Sequence, residues 1–251
     1  MRRCSATGLP RHIFIQDNHN AFMSEQVRLM FTEIAERYDA GNDALSFGTH
    51  RLWKRRLIRR AAVRPGAQVL DVATGTGDIA LRFADAVGPQ GSVVGVDFSA
   101  KMIQQAKQRP NNQKPNLSFE VGDAMGLRFP DNSFDATSIS FGIRNVDEPV
   151  VALREMRRVV KPGGRVLVME FGQPRGLFGA LYRFYISNIG PIIGGIISGK
   201  RYAYQYLDRT AAAFPAGQAF LELMKQAGFQ NPTKEALFGG IAYIYIGVKE
   251  N

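Results

Sequence analysis

The pattern of apolar and polar positions changes near residue 66, where a helical segment gives way to an alternating one. Upstream, apolar side chains from Val27 to Tyr38 recur about every 3.6 residues, which predicts an amphipathic helix. A break at residues 41–43 follows, and a second helix then runs to a Pro-Gly turn at residues 65–66. The sequence therefore predicts N-terminal helices between residues 24 and 65.

Short apolar runs alternate with amphipathic stretches in the rest of the chain. This alternation predicts parallel strands joined by crossover helices, because strands buried on both faces have nearly continuous apolar sequences. The predicted strands cover residues 68–73, 92–97, 117–121, 134–141 and 165–171. The predicted helices cover residues 78–87, 100–109, 149–160 and 215–227. Two short strands joined at Gly239-Gly240 predict a C-terminal antiparallel hairpin.

The length of 251 residues suits one α/β domain rather than two. We assign this domain to residues 23–251 and treat residues 1–22 as an irregular extension. The extension is basic at its start and lacks the apolar core of a secretory signal. Two interpretations remain open for it, namely an organellar targeting peptide and a misassigned start upstream of Met23.

Residues 176–201 form a strongly apolar segment that glycines, Pro191 and charged residues interrupt. A membrane-spanning helix needs about 20 nearly uninterrupted apolar residues, so a span is not expected here. We expect an insertion that covers an apolar substrate. Simple packing into the core is the alternative.

The formal net charge of +10 indicates an anionic partner. Residues 51–60 hold several of the cations, interleaved with apolar side chains as in a basic amphipathic helix. This helix either packs by its apolar side with a solvated basic face, or contacts an anionic membrane surface. The charge is not accompanied by a zinc-finger spacing or an RNA-binding aromatic motif, so nucleic acid is not an expected partner.

Cysteine and histidine usage bears on the compartment and on metals. Cys4 is the single cysteine and cannot form an intramolecular disulfide, and the three histidines lack the spacing of metal ligands. We therefore expect a cytoplasmic protein, including a peripheral position at the inner face of the membrane, and no metal.

The strongest local signal is a strand that runs through a glycine turn into a helix, VLDVATGTGDIA at residues 69–80. Gly75 and Gly77 let backbone amides approach a ligand at the helix N-terminus, where partial positive charge accumulates. Together with Ala80 they also satisfy a dinucleotide-binding fingerprint. At this point a nicotinamide oxidoreductase therefore remains an alternative.

Acidic residues lie in or follow successive predicted strands. Asp97 ends the second strand, where a carboxylate accepts hydrogen bonds from ribose hydroxyls. Asp123 follows the third strand, where it is placed to accept from an adenine amino group, and Asp71 belongs to the first strand. Any one of them could be a helix cap or a turn residue. Their succession favours S-adenosylmethionine.

Three longer motifs resemble the UbiE/MenG family of quinone-biosynthesis C-methyltransferases, and the similarity extends from about Phe31 to the C-terminus. The motifs are YDAGNDALSFGTHRLW at residues 38–53, ISFGIRNV at residues 139–146, and the segment 158–170, which begins RVVKPGGR and ends in Met169-Glu170. Two positions depart from the family pattern. Gly41 stands where the family usually has methionine, and Gly172 where it has serine.

The resemblance implies a class I S-adenosylmethionine-dependent methyltransferase with a Rossmann-like, mostly parallel sheet. Its implied reaction is C-methylation of a polyprenylated hydroquinone, demethylmenaquinol or a related benzoquinol, late in menaquinone or ubiquinone biosynthesis. The implied cofactor-binding residues are Asp71, Gly75, Thr76, Gly77, Asp97, Asp123, Ala124 and Ser140.

The chemistry suggests where the catalytic residues lie. A sulfonium methyl is already electrophilic, so the enzyme must align it with the ring carbon and increase the electron density of the ring. Loss of a proton from the adjacent hydroxyl does the latter, and a phenol with a pKa of about 10 then needs its phenolate stabilised. We hypothesise that Arg144 and Asn145 supply this stabilisation, with His50 and Tyr38 as weaker candidates. A structural salt bridge from Arg144 to an acidic residue at 147–148 is the alternative.

Other functions stay open at the level of sequence. They are a methyltransferase with a different small-molecule acceptor, and a noncatalytic basic module that binds membrane or nucleic acid. A homodimer is also compatible with the sequence.

Overall fold

The computed structural model describes residues 48–190, 192, 195 and 201–250, and only some of the side chains within 201–213. The predictions for the extension 1–22, for the helix at 27–38 and for Tyr38 itself lie outside the described residues.

Seven strands form one sheet in the order β3-β2-β1-β4-β5-β7-β6. The strands are β1 Gln68–Val72, β2 Ser92–Asp97, β3 Leu117–Val121, β4 Phe134–Ser140, β5 Val160–Phe171, β6 Thr233–Leu237 and β7 Ala242–Val248. The first five run parallel, and β7 is antiparallel to both β5 and β6. The predicted fold class, a mostly parallel sheet with a C-terminal antiparallel hairpin, is confirmed.

Helices cover both faces of the sheet. They are α1 His50–Ala61, α2 Asp78–Val87, α3 Ala100–Gln108, α4 Pro149–Val159, α5 Gly176–Phe184, α6 Arg201–Ala213 and α7 Gln218–Gln226. Apolar residues of α1, α2 and α3 form one core cluster, and those of α4 and α7 form the other. The sheet is thus buried on both faces, which explains its continuous apolar strands.

The structure differs from the prediction at the start of β5. Val160 already pairs with Phe134, and the register then shifts before Arg165 pairs with Ala136. Residues 161–164 therefore form an irregular part of the strand rather than a simple loop. A Cβ atom on Gly164 would lie 2.6 Å from the Val160 side chain, so this glycine permits the close approach.

Two helices also differ from the prediction. The helix expected from residue 215 begins only at Gln218, because Gly217 precedes it with a positive φ of 65°. Helix α6 was not predicted, although its sequence places apolar residues such as Ala203, Tyr206 and Leu207 at helical spacing.

The apolar insertion begins with α5 and continues into a π-helical turn at Tyr185–Ile189. Leu177 is 80% exposed, and Leu181 and Phe184 are more than half exposed. Simple core packing therefore does not describe this part of the insertion. Of the helices that the structure describes, none has the length and apolar character needed to cross a membrane.

Candidate active site

A cleft opens at the carboxyl ends of β1, β2 and β4. Parallel α/β sheets bind ligands at this edge, next to the point where the strand order reverses, which here lies between β1 and β4. The cleft brings together several predicted site residues: Asp97, Asp123, Ala124, Ser140 and Asn145. Phe98, Met102 and Phe141 add apolar surface to its wall.

The two glycines of the turn after β1 serve different purposes. Gly77 precedes α2 with a φ of 86°, and a Cβ atom there would lie 2.6 Å from the Phe119 ring and 2.7 Å from Nδ2 of Asn112. Gly75 also has a positive φ, of 56°, but a Cβ atom there would meet nothing within 4 Å. Gly77 is therefore required for close packing of α2, whereas Gly75 is required only by its backbone conformation.

Asp71 lies beneath the turn rather than in the cleft wall. Its Oδ2 accepts a hydrogen bond from the Thr74 hydroxyl at 2.7 Å, and its Oδ1 accepts one from the Ser138 hydroxyl at 2.6 Å. The side chain is 1% exposed, and this burial raises the pKa of Asp71 to about 7. Asp71 thus connects the glycine turn to β1 and β4.

Asp97 lines the cleft and also supports the turn. Its Oδ2 accepts from the Gly75 amide and its Oδ1 from the Ser99 amide, both at 2.9 Å. Burial raises the pKa of Asp97, although these two hydrogen bonds act in the opposite direction. Asp123 likewise accepts from the Met125 amide at 2.9 Å. Both aspartates therefore accept hydrogen bonds from backbone amides, as turn residues or helix caps do, and both also line the cleft.

Thr76 is not part of the cleft lining. Its hydroxyl accepts from Nη1 of Arg109 at 3.1 Å, and its carbonyl accepts from Nδ2 of Asn112 at 3.0 Å. The residue is 5% exposed. Among the described contacts, Thr76 joins the turn to the segment after α3.

The cleft contains a buried polar atom that the protein does not satisfy. Oγ of Ser140 is buried and has no hydrogen-bond partner among the described residues. A buried hydroxyl of this kind usually finds a partner in a ligand or in water. The cleft thus has the carboxylates of Asp97 and Asp123 on one side, the Ser140 hydroxyl on the other and apolar side chains between them. This arrangement fits the predicted S-adenosylmethionine.

The backbone is strained on both sides of the point where the strand order reverses. Ala73 after β1 has a φ of 51°, and Phe141 after β4 has a φ of 55°. Both residues line the cleft. Non-glycine residues adopt such angles at a cost of order 1–3 kcal/mol each, and such strain is concentrated at functional sites.

Arg144 forms a buried ion pair that the sequence did not reveal. Its Nη1 donates to Oε1 of Glu170 and to the Phe141 carbonyl, both at 2.7 Å. The two charged side chains are 2% and 1% exposed. The guanidinium also lies 5.3 Å from the centre of the Phe171 ring. Its partner is thus Glu170, not the acidic neighbours at 147–148.

This ion pair is incompletely satisfied. Nε of Arg144 and Oε2 of Glu170 are both buried without a hydrogen-bond partner among the described residues. Asn145 lies next to the pair and lines the cleft, and Tyr206 of α6 donates to its Oδ1 at 3.4 Å. Burial raises the pKa of Tyr206.

Sequence reasoning missed both partners. Glu170 ends the third family motif, where no local pattern indicates its pairing with Arg144, and Tyr206 lies on helix α6, which was not predicted.

Helix α1 packs beside the end of β4. The Trp53 ring lies 6.4 Å from that of Phe141, and Nε1 of Trp53 is buried without a hydrogen-bond partner among the described residues. His50 is buried at the first turn of this helix and does not line the cleft.

The glycine at position 172 is explained by packing. A Cβ atom there would lie 2.3 Å from the Gly240 carbonyl oxygen, and the Gly172 amide donates to the Ile241 carbonyl at 2.8 Å. A serine would require this turn to move.

Comparison with known sequences gives matches over nearly the whole chain. The profile of the ubiE/COQ5 methyltransferase family matches residues 19–249. A Bdellovibrio bacteriovorus protein named ubiquinone/menaquinone biosynthesis C-methyltransferase UbiE is 50% identical over 225 residues, 89% of this chain and 95% of its own. A Staphylococcus aureus demethylmenaquinone methyltransferase is 38% identical over 92% of this chain and 96% of its own.

Solved structures share the fold at lower identity. A methyltransferase from Thermotoga maritima, described as S-adenosylmethionine-dependent, has a TM-score of 0.62 at 20% identity, over 88% of this chain and 98% of its own. The [4+2]-cyclase SpnF has a TM-score of 0.59 at 21% identity, over 90% of this chain and 97% of its own. Because a cyclase shares the architecture, the fold alone does not identify the reaction.

Proposed function

Because the chain belongs to the ubiE/COQ5 methyltransferase family, we propose that it transfers a methyl group from S-adenosylmethionine to a ring carbon of a polyprenylated hydroquinone. Family membership confirms the predicted methyltransferase class and its cofactor, so the nicotinamide and noncatalytic alternatives are set aside. Two relatives with names from quinone biosynthesis, matched over most of both chains, support the acceptor.

Different residues of the cleft would contact different parts of the cofactor. Asp97 would accept hydrogen bonds from the ribose hydroxyls, while Asp123 and Ala124 would lie against the adenine. The observation that carries this assignment is the unsatisfied Ser140 hydroxyl in the same cleft as the two carboxylates. When bound, the cofactor supplies an electrophilic sulfonium methyl. Asp71, Gly75, Thr76 and Gly77 would act by shaping the turn.

The acceptor ring would lie on the Asn145 side of the cleft. The Phe141 ring lines the cleft beside Asn145 and packs against the rings of Phe171, at 4.5 Å, and Trp53, at 6.4 Å. Phe141 would therefore offer a quinol a supported apolar surface. Asn145 lines this space, and its described side-chain hydrogen bond, from the Tyr206 hydroxyl, engages Oδ1 rather than the NH2 group. We assign to Asn145 the hydrogen bond that stabilises the developing phenolate.

Arg144 would support the role of Asn145 without contacting the acceptor ring. Its hydrogen bond to the Phe141 carbonyl fixes the strained end of β4, and thereby the position of the 3-10 turn Ile143–Asn145. Its positive charge is held close to the acceptor side and is balanced by Glu170. Arg144 therefore combines positioning with electrostatic stabilisation, and His50 and Tyr38 remain weaker candidates.

The test is methyl transfer by the purified protein. Radiolabelled S-adenosylmethionine is supplied with demethylmenaquinol in one assay and with the corresponding benzoquinol in another. Incorporation of label into either quinol supports the proposal and identifies the ring. Label transferred only to an unrelated small molecule would favour the second candidate, a methyltransferase with another acceptor.

The proposed acceptor bears on where the protein acts, but not on its oligomeric state. A polyprenylated quinol resides in a bilayer, which supports a cytoplasmic protein with peripheral contact at the inner face of the membrane. A homodimer stays a prediction.

A further inference from the structure

Helix α5 exposes the side of a helix that proteins normally bury. Leu177, Leu181 and Phe184 recur at helical spacing along one face, and each is more than 60% exposed. A contiguous apolar surface of this kind normally marks an interaction site. We call these three residues, together with Phe178 and Phe238, the apolar face.

The apolar face is continuous with the turn before β7. A Cβ atom on Gly239 would lie 3.1 Å from the Phe178 ring, so α5 packs directly on this turn. The adjoining Phe238 is 55% exposed although its φ is 45°. A bulky residue in this strained conformation is costly, and a ring that stays more than half exposed to water gains little burial to offset the cost. A partner that covers the Phe238 ring would supply that burial.

The apolar face lies at the edge of the sheet where the cleft opens. Helix α5 follows the carboxyl end of β5, where Phe171 pairs with Ala242 at the start of β7. The cleft lies at the carboxyl ends of the parallel strands. A surface docked on the apolar face would therefore lie beside the active site.

The described segment that holds α5 carries charges of one sign. Residues 171–190 include Arg175 and Arg183 and contain no acidic residue. Arg175 and Arg183 are exposed on or next to α5. Apolar side chains flanked by cations match a bilayer whose headgroups are anionic.

We propose that the apolar face docks the protein on an anionic lipid bilayer, with Leu177, Leu181 and Phe184 inserted among the lipids. The proposal rests on the proposed function in one respect, namely that the polyprenylated acceptor is drawn from the same bilayer. Docking then places the cleft next to the pool of substrate.

The experiment measures sedimentation of the full-length protein with vesicles. Vesicles of phosphatidylcholine alone are compared with vesicles that also contain phosphatidylglycerol, and the protein should bind the anionic vesicles more strongly. The double variant Leu181→Asp/Phe184→Asp should lower the partition coefficient by about tenfold or more. The matched control is Val248→Asp. Val248 is 45% exposed and pairs with Arg165 at the opposite edge of the sheet, and this variant should bind like the wild type.

Activity separates docking from the proposed function. The double variant should methylate a short-chain, water-soluble quinol at the wild-type rate, and a vesicle-embedded quinol about tenfold more slowly or worse. If neither protein methylates any quinol, the proposed function is wrong, while the sedimentation result still decides docking.

Three results would overturn the docking proposal. The first is wild-type protein that does not prefer anionic vesicles, and the second is equal binding by the double variant and the Val248→Asp control. The third is a wild-type dimer in light scattering that the double variant converts to a monomer, because the apolar face would then be a subunit interface.

Discussion

The ion pair between Arg144 and Glu170 offers a test that separates a structural role from a catalytic one. We consider Arg144→Met, Glu170→Met and the double variant. Each single change leaves one buried charge without its partner, whereas the double change removes both charges and keeps an apolar filling of similar length.

The structure sets the expected magnitudes. Removal of one partner of a buried pair costs about 3–5 kcal/mol in the free energy of unfolding. The double variant avoids the uncompensated charge, but the Phe141 carbonyl and the Phe171 amide lose hydrogen-bond partners, at about 1–3 kcal/mol each. Its cost should therefore be clearly smaller than the sum of the two single costs.

Urea denaturation of the wild type, the two single variants and the double variant gives the coupling free energy between Arg144 and Glu170. Calorimetry gives the affinity for S-adenosylmethionine. We expect the double variant to fold and to bind the cofactor within about threefold of wild type, because the Asp97 side of the cleft is untouched. Turnover should fall by about tenfold or more, which corresponds to at least 1.4 kcal/mol of transition-state stabilisation.

Glu222→Met, in an exposed pair with Lys225, controls for loss of a carboxylate and should leave turnover unchanged. A folded double variant with wild-type turnover would refute any role of Arg144 beyond structure. Additive single costs would refute the buried pair itself.

Three further predictions concern the cofactor side of the cleft. Gly77→Ala should lower the free energy of unfolding by about 2–5 kcal/mol, because the new methyl group meets the Phe119 ring. Gly75→Ala should lower it by only about 1–2 kcal/mol, because a methyl group there meets nothing. Equal losses in thermal or urea denaturation would contradict the packing argument. Asp97→Asn should weaken S-adenosylmethionine binding about tenfold or more in calorimetry, and an unchanged Kd would remove Asp97 from the site. Because the pKa of Asp71 is raised from 3.8 to about 7, the folded state binds more protons than the unfolded state between these pH values, and the free energy of unfolding of the wild type falls as pH rises. Asp71→Asn lacks this fall, so the free energy of unfolding of the variant minus that of the wild type should increase by about 1 kcal/mol per pH unit from pH 4.5 to 7. A difference that does not change with pH would contradict the burial of Asp71.

The alternation of apolar runs was sufficient to predict the sheet, because parallel strands buried on both faces show this pattern in sequence. The strands β2 and β3 agree at both ends with the prediction, and the main difference is the irregular start of β5. That difference depends on pairing between Val160 and Phe134, which are distant in sequence and give no local signal. Helix α6 was also missed, although the spacing of its apolar residues is helical, so this miss is not explained by an absent local signal.

The site was predictable where residues follow strand ends. Asp97, Asp123, Ser140 and Asn145 meet in one cleft because parallel strands end at one edge of the sheet. What sequence could not supply was the direction of each side chain. Nothing in the sequence says that Asp71 lies under the turn.

The same limit applies to Arg144. Its pairing with Glu170 follows from neighbouring strand ends, β4 and β5, which bring residues that are distant in sequence to within 2.7 Å. The motifs indicated that the segment matters, and the structure shows that its charge is buried and balanced.

The most direct test of the central claim follows the fate of the methyl carbon. The purified protein is supplied with S-adenosylmethionine carrying a 13C-labelled methyl group and with each demethylated quinol, and the product is examined by NMR. The label should be bonded to a ring carbon of one quinol class. Label on a quinol oxygen, or none in either quinol while the cofactor is bound, would contradict the account.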